Sequence, residues 1–243
     1  WMHNTNYMRS LVVDIETVGA DFSSLDEYTQ QDILGRIRAA VGTKEYEEEL
    51  AGYIQELQFS PLIGQIVVLG VYDVGQKSGV VSFQVVDQEV GEFAEGEMTY
   101  KQRSEKSMLE AFWGGIIDYD ECITFNGRGF DIPYIIARSG ALGVHITRDL
   151  MSNRFNNKSW GGIVHVDLLD QLSYYGAVRR AGSLHLWTQA MGIESPKGGD
   201  ISGKEVGAAY KSGRSIDIAR YNARDLIATG KLYEHWKQYM QPR

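Results

Sequence analysis

The sequence predicts an α/β fold, a mixed central β-sheet flanked by helices with a helical insertion after the first strand. Three observations carry this. Short β-branched apolar runs recur along the chain, stretches with helical spacing of apolar residues alternate with them from residue 104 onward, and 243 residues at 43% hydrophobic content can bury one sizeable core. With four prolines, no internal repeat and no low-complexity tract, nothing marks a second domain, so residues 1–243 are expected to form one domain. The single cysteine, Cys122, excludes an internal disulfide framework, and no apolar run approaches the length of a membrane span. The first six residues lack the charged-then-apolar layout of a secretory signal, and the chain is expected to be cytoplasmic.

Arg9 to Asp14 (RSLVVD) reads as a buried strand ending in acid. Residues 21–58 read as a helical insert of two helices, one with Ile33, Leu34, Ile37 and Val41 on its apolar stripe, the other with Tyr46, Leu50, Tyr53, Ile54 and Leu57. Ile63–Tyr72 and Val80–Val86, joined through Asp73, Gly75 and Gly79, read as a hairpin. Ser104 is placed to cap a helix whose stripe is Met108, Leu109, Phe112, Trp113, Ile116 and Ile117, and Cys122–Phe125 follows as a fourth strand. Pro133 in a first turn and Gly140 at an end delimit a helix over Ile132–Ser139, Ile163–Val166 is a fifth strand, and a long helix over about Ser215–Tyr239 closes the chain.

Formal net charge is −8, which argues against a broad basic surface that coats nucleic acid. The halves differ: residues 1–126 sum to −14 and residues 127–243 to +6, so a polyanion is expected to meet the second half. Residues 21–58 alone carry −6, in which a solvated helix face is the simpler reading.

Three sets of carboxylates are candidates for chemistry. Asp14 and Glu16, two apart on an extended backbone, project to one side and can share a cation. Asp-x-Glu is cheap, with about one occurrence expected by chance, and Asp87-Gln88-Glu89 is a second. Asp131 lies in Phe125-Asn-Gly-Arg-Gly-Phe-Asp-Ile-Pro-Tyr134 just before a helix, where N-capping alone accounts for an acid; capping does not account for the two glycines and Asn126 before it. Asp225 stands four residues after Tyr221 and interrupts the stripe Ile218, Tyr221, Leu232, Trp236, a position that demands a partner for the carboxylate, usually a cation. The five histidines show no metal-ligand spacing, Cys122 reads as packing, and Arg179, Arg180, Arg220 and Arg224 are open between phosphate contact and ordinary ion pairing.

In order, Asp14-x-Glu16, Asn126-Gly-x-x-Phe130-Asp131-x-Pro133-Tyr134 and Tyr221-x-x-x-Asp225 resemble the three motifs of the DEDD exonuclease superfamily. The middle string is similar to the second motif of the proofreading domain of B-family DNA polymerases, and from about Leu11 to Trp236 the chain resembles the predicted 3′-to-5′ exonucleases related to that domain. Gly64–Gly70, His165-Val-Asp-Leu-Leu-Asp170 and Gly203–Tyr221 carry further likeness. Tyr221, with Arg220 where the histidine subtype has its His, indicates the tyrosine subtype; Asn222 stands where the family often has Cys, a departure expected to be tolerated because it is no ligand.

The resemblance implies an RNase H-like fold and a metal-dependent 3′-5′ exonuclease acting on the 3′ end of single-stranded nucleic acid, DNA ahead of RNA, free of a polymerase because the chain ends soon after its third motif. It implies two divalent metal ions, Mg²⁺ or Mn²⁺, of which Asp14, Glu16 and Asp225 hold one while Asp14 bridges to a second on Asp131. Tyr221 orients the nucleophile, and Thr17, Asn126 and Phe130 hold the terminal nucleotides, although Phe130 equally fits the core. A nucleic-acid-binding module without turnover and a structure-selective endonuclease on the same fold are the alternatives.

Overall fold

The computed structural model describes residues 8–86, 89–152, 154–155, 162–198 and 201–241. Asp87 and Gln88 of the second Asp-x-Glu lie outside them. Seven strands form one mixed sheet: β1 (Ser10–Gly19), β2 (Gly64–Asp73), β3 (Ser78–Phe83), β4 (Phe93–Glu95), β5 (Met98–Gln102), β6 (Glu121–Thr124) and β7 (Val164–Asp167), in the order β4-β5-β3-β2-β1-β6-β7. β1, β2 and β3 form an antiparallel meander, while β6 and β7 run parallel to β1 on its other side. The α/β expectation holds.

The first strand runs five residues past Asp14, because β2 pairs with it through Gly19. Asp14 and Glu16 therefore sit inside β1, not at its end. The parallel partner β6 matches only Ser10–Val12 and the chain then turns away, so the second half of β1 is open along that edge. Strands β4 and β5, beyond the strands the sequence predicts, extend the sheet past β3, with β5 parallel to it.

The helices are α1 (Glu27–Leu34), α2 (Lys44–Glu56), α3 (Glu105–Gly115), α4 (Asp131–Leu142), α5 (Leu168–Leu172), α6 (Leu184–Ala190), α7 (Val206–Lys211) and α8 (Ser215–Tyr239). The insert holds two helices as expected, but α1 stops at Leu34 with Gly35 as its C-cap, so the proposed stripe breaks and Val41 lies exposed. In α3 the Ser104 hydroxyl caps the Ser107 amide and Met108, Leu109, Phe112 and Trp113 are buried, whereas Ile117 lies beyond the helix and faces solvent. Helix α4 runs through Gly140 and ends where Gly143 takes a left-handed conformation, φ 64°.

Alternation along β1 divides the core. Leu11, Val13 and Ile15 pack with α3 and α4 (Phe112, Trp113, Ile132, Ile135), and Val12 and Val18 pack with α8 (Ile218, Ala219, Ala223, Leu226). Asp14 and Glu16 share the parity of Val12 and so face α8. On the opposite face, Glu105 accepts two bonds from Arg138, at 2.8 and 2.7 Å, and one from the Ile66 amide at 2.8 Å, tying α3 and α4 to β2.

Close approach of α8 to the sheet depends on Gly70, the β2 residue paired with Asp14. A Cβ there would collide with Asn222 Oδ1 and Leu226 Cδ1, both buried. Gly70→Ala is therefore expected to destabilise the protein by about 1–3 kcal/mol through overpacking, read by thermal or denaturant unfolding; an unchanged midpoint would mean that α8 shifts freely.

Candidate active site

Three elements bring the acidic residues together. Asp14 and Glu16 project from β1, Asp225 from the middle of α8, and one carboxylate oxygen from each lies within 4.8 Å of the others. Asp131 comes from the start of α4. It is the first helical residue and not the cap; Phe130 holds the cap position without a side-chain bond. Asp131 Oδ1 instead accepts the amide of Ile15 at 3.0 Å, on a stretch of β1 beyond the reach of β6. Asp131 is thus not the helix cap, and its carboxylate is held by a long-range contact with β1 that capping does not require.

Burial acts on all four groups, and repulsion from neighbouring carboxylates adds to it at Asp14, Glu16 and Asp131. Burial first, and then Asp131, Glu16 and Asp225, push the carboxyl of Asp14 well above the usual range, and burial with Asp225 and Asp131 does the same to Glu16. Burial raises Asp131 to about 7, against the lowering effect of the Ile15 amide. Burial raises Asp225 to about 6, although Tyr221, Arg224 and Lys197 oppose the rise. A buried cluster of acids with so few cationic partners calls for a cation, and an all-oxygen donor set suits hard divalent ions.

Tyr221, one turn before Asp225, is raised further from its normal range by burial and by the neighbouring carboxylates, so its phenol stays protonated. Tyr221 and Asp225 line a cleft of about 300 Å³ with Ser183, His185, Pro196 and Lys197. Thr17 is buried at the β-bulge between Glu16 and Thr17, where its hydroxyl donates to the Gln58 carbonyl at 2.8 Å. Asn126 is exposed, in a left-handed conformation (φ 66°), with its amide donating to Asp167 Oδ1 at 2.8 Å. Gly127 has no room for a side chain, because a Cβ would strike Thr124, whose hydroxyl accepts the Gly127 amide at 3.2 Å. Phe130 is half-buried, its ring 5.9 Å from Phe59 and 5.5 Å from Tyr134, between the core and the rim. The structure thus gathers the four acids and Tyr221, and sets Asn126 and Phe130 on the loop beside Asp131.

Two residues have a place at the site that the sequence reading does not assign them. Asn222, fully buried, donates from Nδ2 to Asp14 Oδ2 at 2.7 Å, so the position that departs from the family holds a candidate ligand in place. Lys197 reaches the cleft from an irregular segment. Of the open arginines, Arg220 is committed to Glu95 by two bonds, at 2.9 and 2.6 Å, and Arg224 donates to the Pro196 carbonyl at 3.3 Å and lies over the Tyr221 ring.

Because the folded-state values of these acids lie above the usual carboxylate range near ~4, the metal-free fold binds protons that the unfolded chain releases, and the contribution of these groups to stability is full below about pH 4 and lost as pH rises through about 7. Metal-free protein is expected to melt at lower temperature at pH 8 than at pH 5. Asp14→Asn is expected to raise the pH 8 midpoint by about 2–4 °C, and Mn²⁺ to do so only in the wild type. Equal pH 8 midpoints for wild type and variant in EDTA would contradict the repulsion.

Residues 76–241 match the family model of the predicted 3′-5′ exonuclease related to the exonuclease domain of PolB. The match begins after β1, so Asp14 and Glu16 join the site through the geometry above. Among similar proteins, a DNA polymerase of Desulfurococcus sp. (strain Tok) is 32% identical over 151 residues, covering 56% of this chain and 18% of the polymerase. A DNA polymerase of Pyrococcus glycovorans is 26% identical over 137 residues, covering 53% and 18%. The family B DNA polymerase of Pyrobaculum calidifontis superposes with a TM-score of 0.57 at 20% identity, covering 95% of this chain and 25% of that one, a likeness of fold consistent with the RNase H-like expectation. The chain thus spans about a fifth to a quarter of the length of these polymerases. Since the family model covers more than half of the sequence, the chain belongs to the family of predicted 3′-5′ exonucleases related to the exonuclease domain of PolB.

Proposed function

We propose that the chain is a metal-dependent exonuclease that removes nucleotides one at a time from the 3′ end of single-stranded DNA. The observation that carries the reading is the convergence of Asp14, Glu16 and Asp225 within 4.8 Å, with Asp131 anchored on the next residue of β1. The all-oxygen donor set fits divalent ions, Mg²⁺ or Mn²⁺: Asp14, Glu16 and Asp225 would hold one, and Asp131 together with Asp14 would hold a second. Such ions, when bound, lower the pKa of a water and neutralise charge on the phosphate and the departing oxygen.

The chain itself supplies positioning. Asn222 fixes the Asp14 carboxylate, and the Ile15 amide fixes that of Asp131. The protonated phenol of Tyr221 serves as a hydrogen-bond donor that orients the attacking water or the phosphate, not as a base. Lys197, across the cleft from Asp225, can meet a phosphate oxygen. Asn126 and Phe130, beside Asp131, are placed to take the terminal nucleotide by hydrogen bonding and apolar contact. DNA is the preferred substrate because the relatives are DNA polymerases; RNA is the competing outcome.

The test is a 5′-labelled single-stranded DNA oligonucleotide incubated with protein in Mg²⁺, Mn²⁺ or EDTA, with an RNA of the same sequence alongside. The expected result is a metal-dependent ladder shortening from the 3′ end, abolished in Asp14→Ala and Asp225→Ala. Tyr221→Phe is expected to reduce kcat about 100-fold with little change in KM, the signature of lost orientation. Cleavage of a circular strand would establish an endonuclease, and metal-independent binding without cleavage a binding module.

A further inference from the structure

The string His165-Val-Asp-Leu-Leu-Asp170 takes no part in the site chemistry, yet its two aspartates organise the surface beside it. Asp167, the last residue of β7, accepts the amides of Asn126 and Arg128, at 2.8 and 2.9 Å, and so sets the loop that leads to Asp131. One turn later Asp170 takes the Arg154 guanidinium in two bonds, at 2.8 and 2.6 Å, and its carbonyl accepts the Tyr175 amide at 2.7 Å. Arg154 lies 5.7 Å from the ring centre of Phe155, and that ring lies 5.1 Å from the ring of Tyr175.

Tyr174, Tyr175 and Gly176 follow one another in the left-handed region, at φ 50°, 56° and 91°. Two successive aromatic residues there are unfavourable, and the conformation persists only because its surroundings impose it. The loop is closed by Val178 N to the Ser173 carbonyl at 3.0 Å and Gly176 N to Ser173 Oγ at 3.2 Å, while Gln171 Nε2 donates to the Tyr175 hydroxyl at 2.9 Å. The result is outward display of large rings: Phe155 is 74% and Tyr174 64% exposed. Arg179 and Arg180 follow on the same loop, exposed and without an ion pair among the described residues.

We infer that Phe155, Tyr174, Tyr175, Arg179 and Arg180 form a stacking platform for the single-stranded nucleic acid that leads into the carboxylate site. Three observations select this occupant. Exposed aromatic faces interleaved with arginines are the means by which proteins hold unpaired bases and their phosphates irrespective of sequence. The platform belongs to the half of the chain with net charge +6. It also lies where the parallel strands β6 and β7 end, joined through Asp167 to Asn126 and hence to Asp131.

The inference rests on a nucleic acid substrate but not on turnover, so binding is measured in EDTA. A 5′-fluorescein-labelled oligothymidylate of 12 nucleotides is titrated by fluorescence anisotropy with wild type and with the double variant Phe155→Ala/Tyr174→Gly. Glycine at 174 removes the ring and relieves the backbone, so the variant is expected to melt no lower than wild type. The expected result is about 10-fold weaker binding by the variant, with cleavage of a tetranucleotide in Mn²⁺ unchanged. Arg179→Gln/Arg180→Gln is expected to flatten the slope of log affinity against log salt by about 1.4. Equal affinity of wild type and double variant for the 12-mer, or no binding by the wild type, overturns the platform even if the exonuclease ladder is present. Platform-dependent binding without any ladder rejects the nuclease reading alone.

Discussion

Four carboxylates held near one another around the middle of β1 are the constraint on which the surrounding structure depends, and much of that structure is what keeps them there. Each acid is partly or wholly removed from water, and Asp131, Glu16 and Asp225 raise the proton affinity of Asp14. The rest of the protein opposes their separation. β1 is bound along its whole length by β2, Gly70 lets α8 sit close above it, and Asn222 and the Ile15 amide take one oxygen each of Asp14 and Asp131. The stability lost in this arrangement is recovered in the apolar packing of β1 on its two faces, and a cation is the remaining partner that the acids lack.

The sheet topology explains why the site lies where it does. β1 outlasts its parallel neighbour β6, leaving amide groups on that edge free to receive a side chain from α4. The loop between β6 and α4 is tight, with Gly127 pressed on Thr124 and the amides of Asn126 and Arg128 gathered by Asp167. Strand ends in an α/β sheet are where polar groups can converge without being buried in helix or ladder, and the candidate nucleotide-binding residues and the aromatic loop after α5 both occupy such positions.

Much of this was legible in the sequence, for definite reasons. Asp14 and Glu16 share a side of any extended strand, and Asp225 broke an otherwise apolar helical stripe; both patterns are local, so the period of the element was enough. The role of Asp131 was not decidable locally, because an N-cap and a long-range acceptor ask for the same residue type at the same place. The end of β1 was misjudged since polar residues within a strand resemble its terminus until the pairing of β2 is known. The edge strand β4 and its neighbour β5 are only three and five residues long, too short for a clear alternation. The contacts of Asn222 and Lys197 were not legible because they join distant segments, in the case of Asn222 and Asp14 across 208 residues. In the insert, Gly35 ended α1 before the apolar spacing did, leaving Val41 in solvent.

Whether the four acids together hold a pair of divalent cations through Asp14 is tested most simply by direct measurement of Mn²⁺ binding at pH 7.5 by electron paramagnetic resonance, without nucleic acid. The account predicts that wild type takes up Mn²⁺, that Asp131→Asn lowers the stoichiometry while keeping one ion, and that Asp14→Asn, which removes the residue common to both positions, abolishes specific uptake. Mn²⁺ binding by Asp14→Asn indistinguishable from wild type would contradict it.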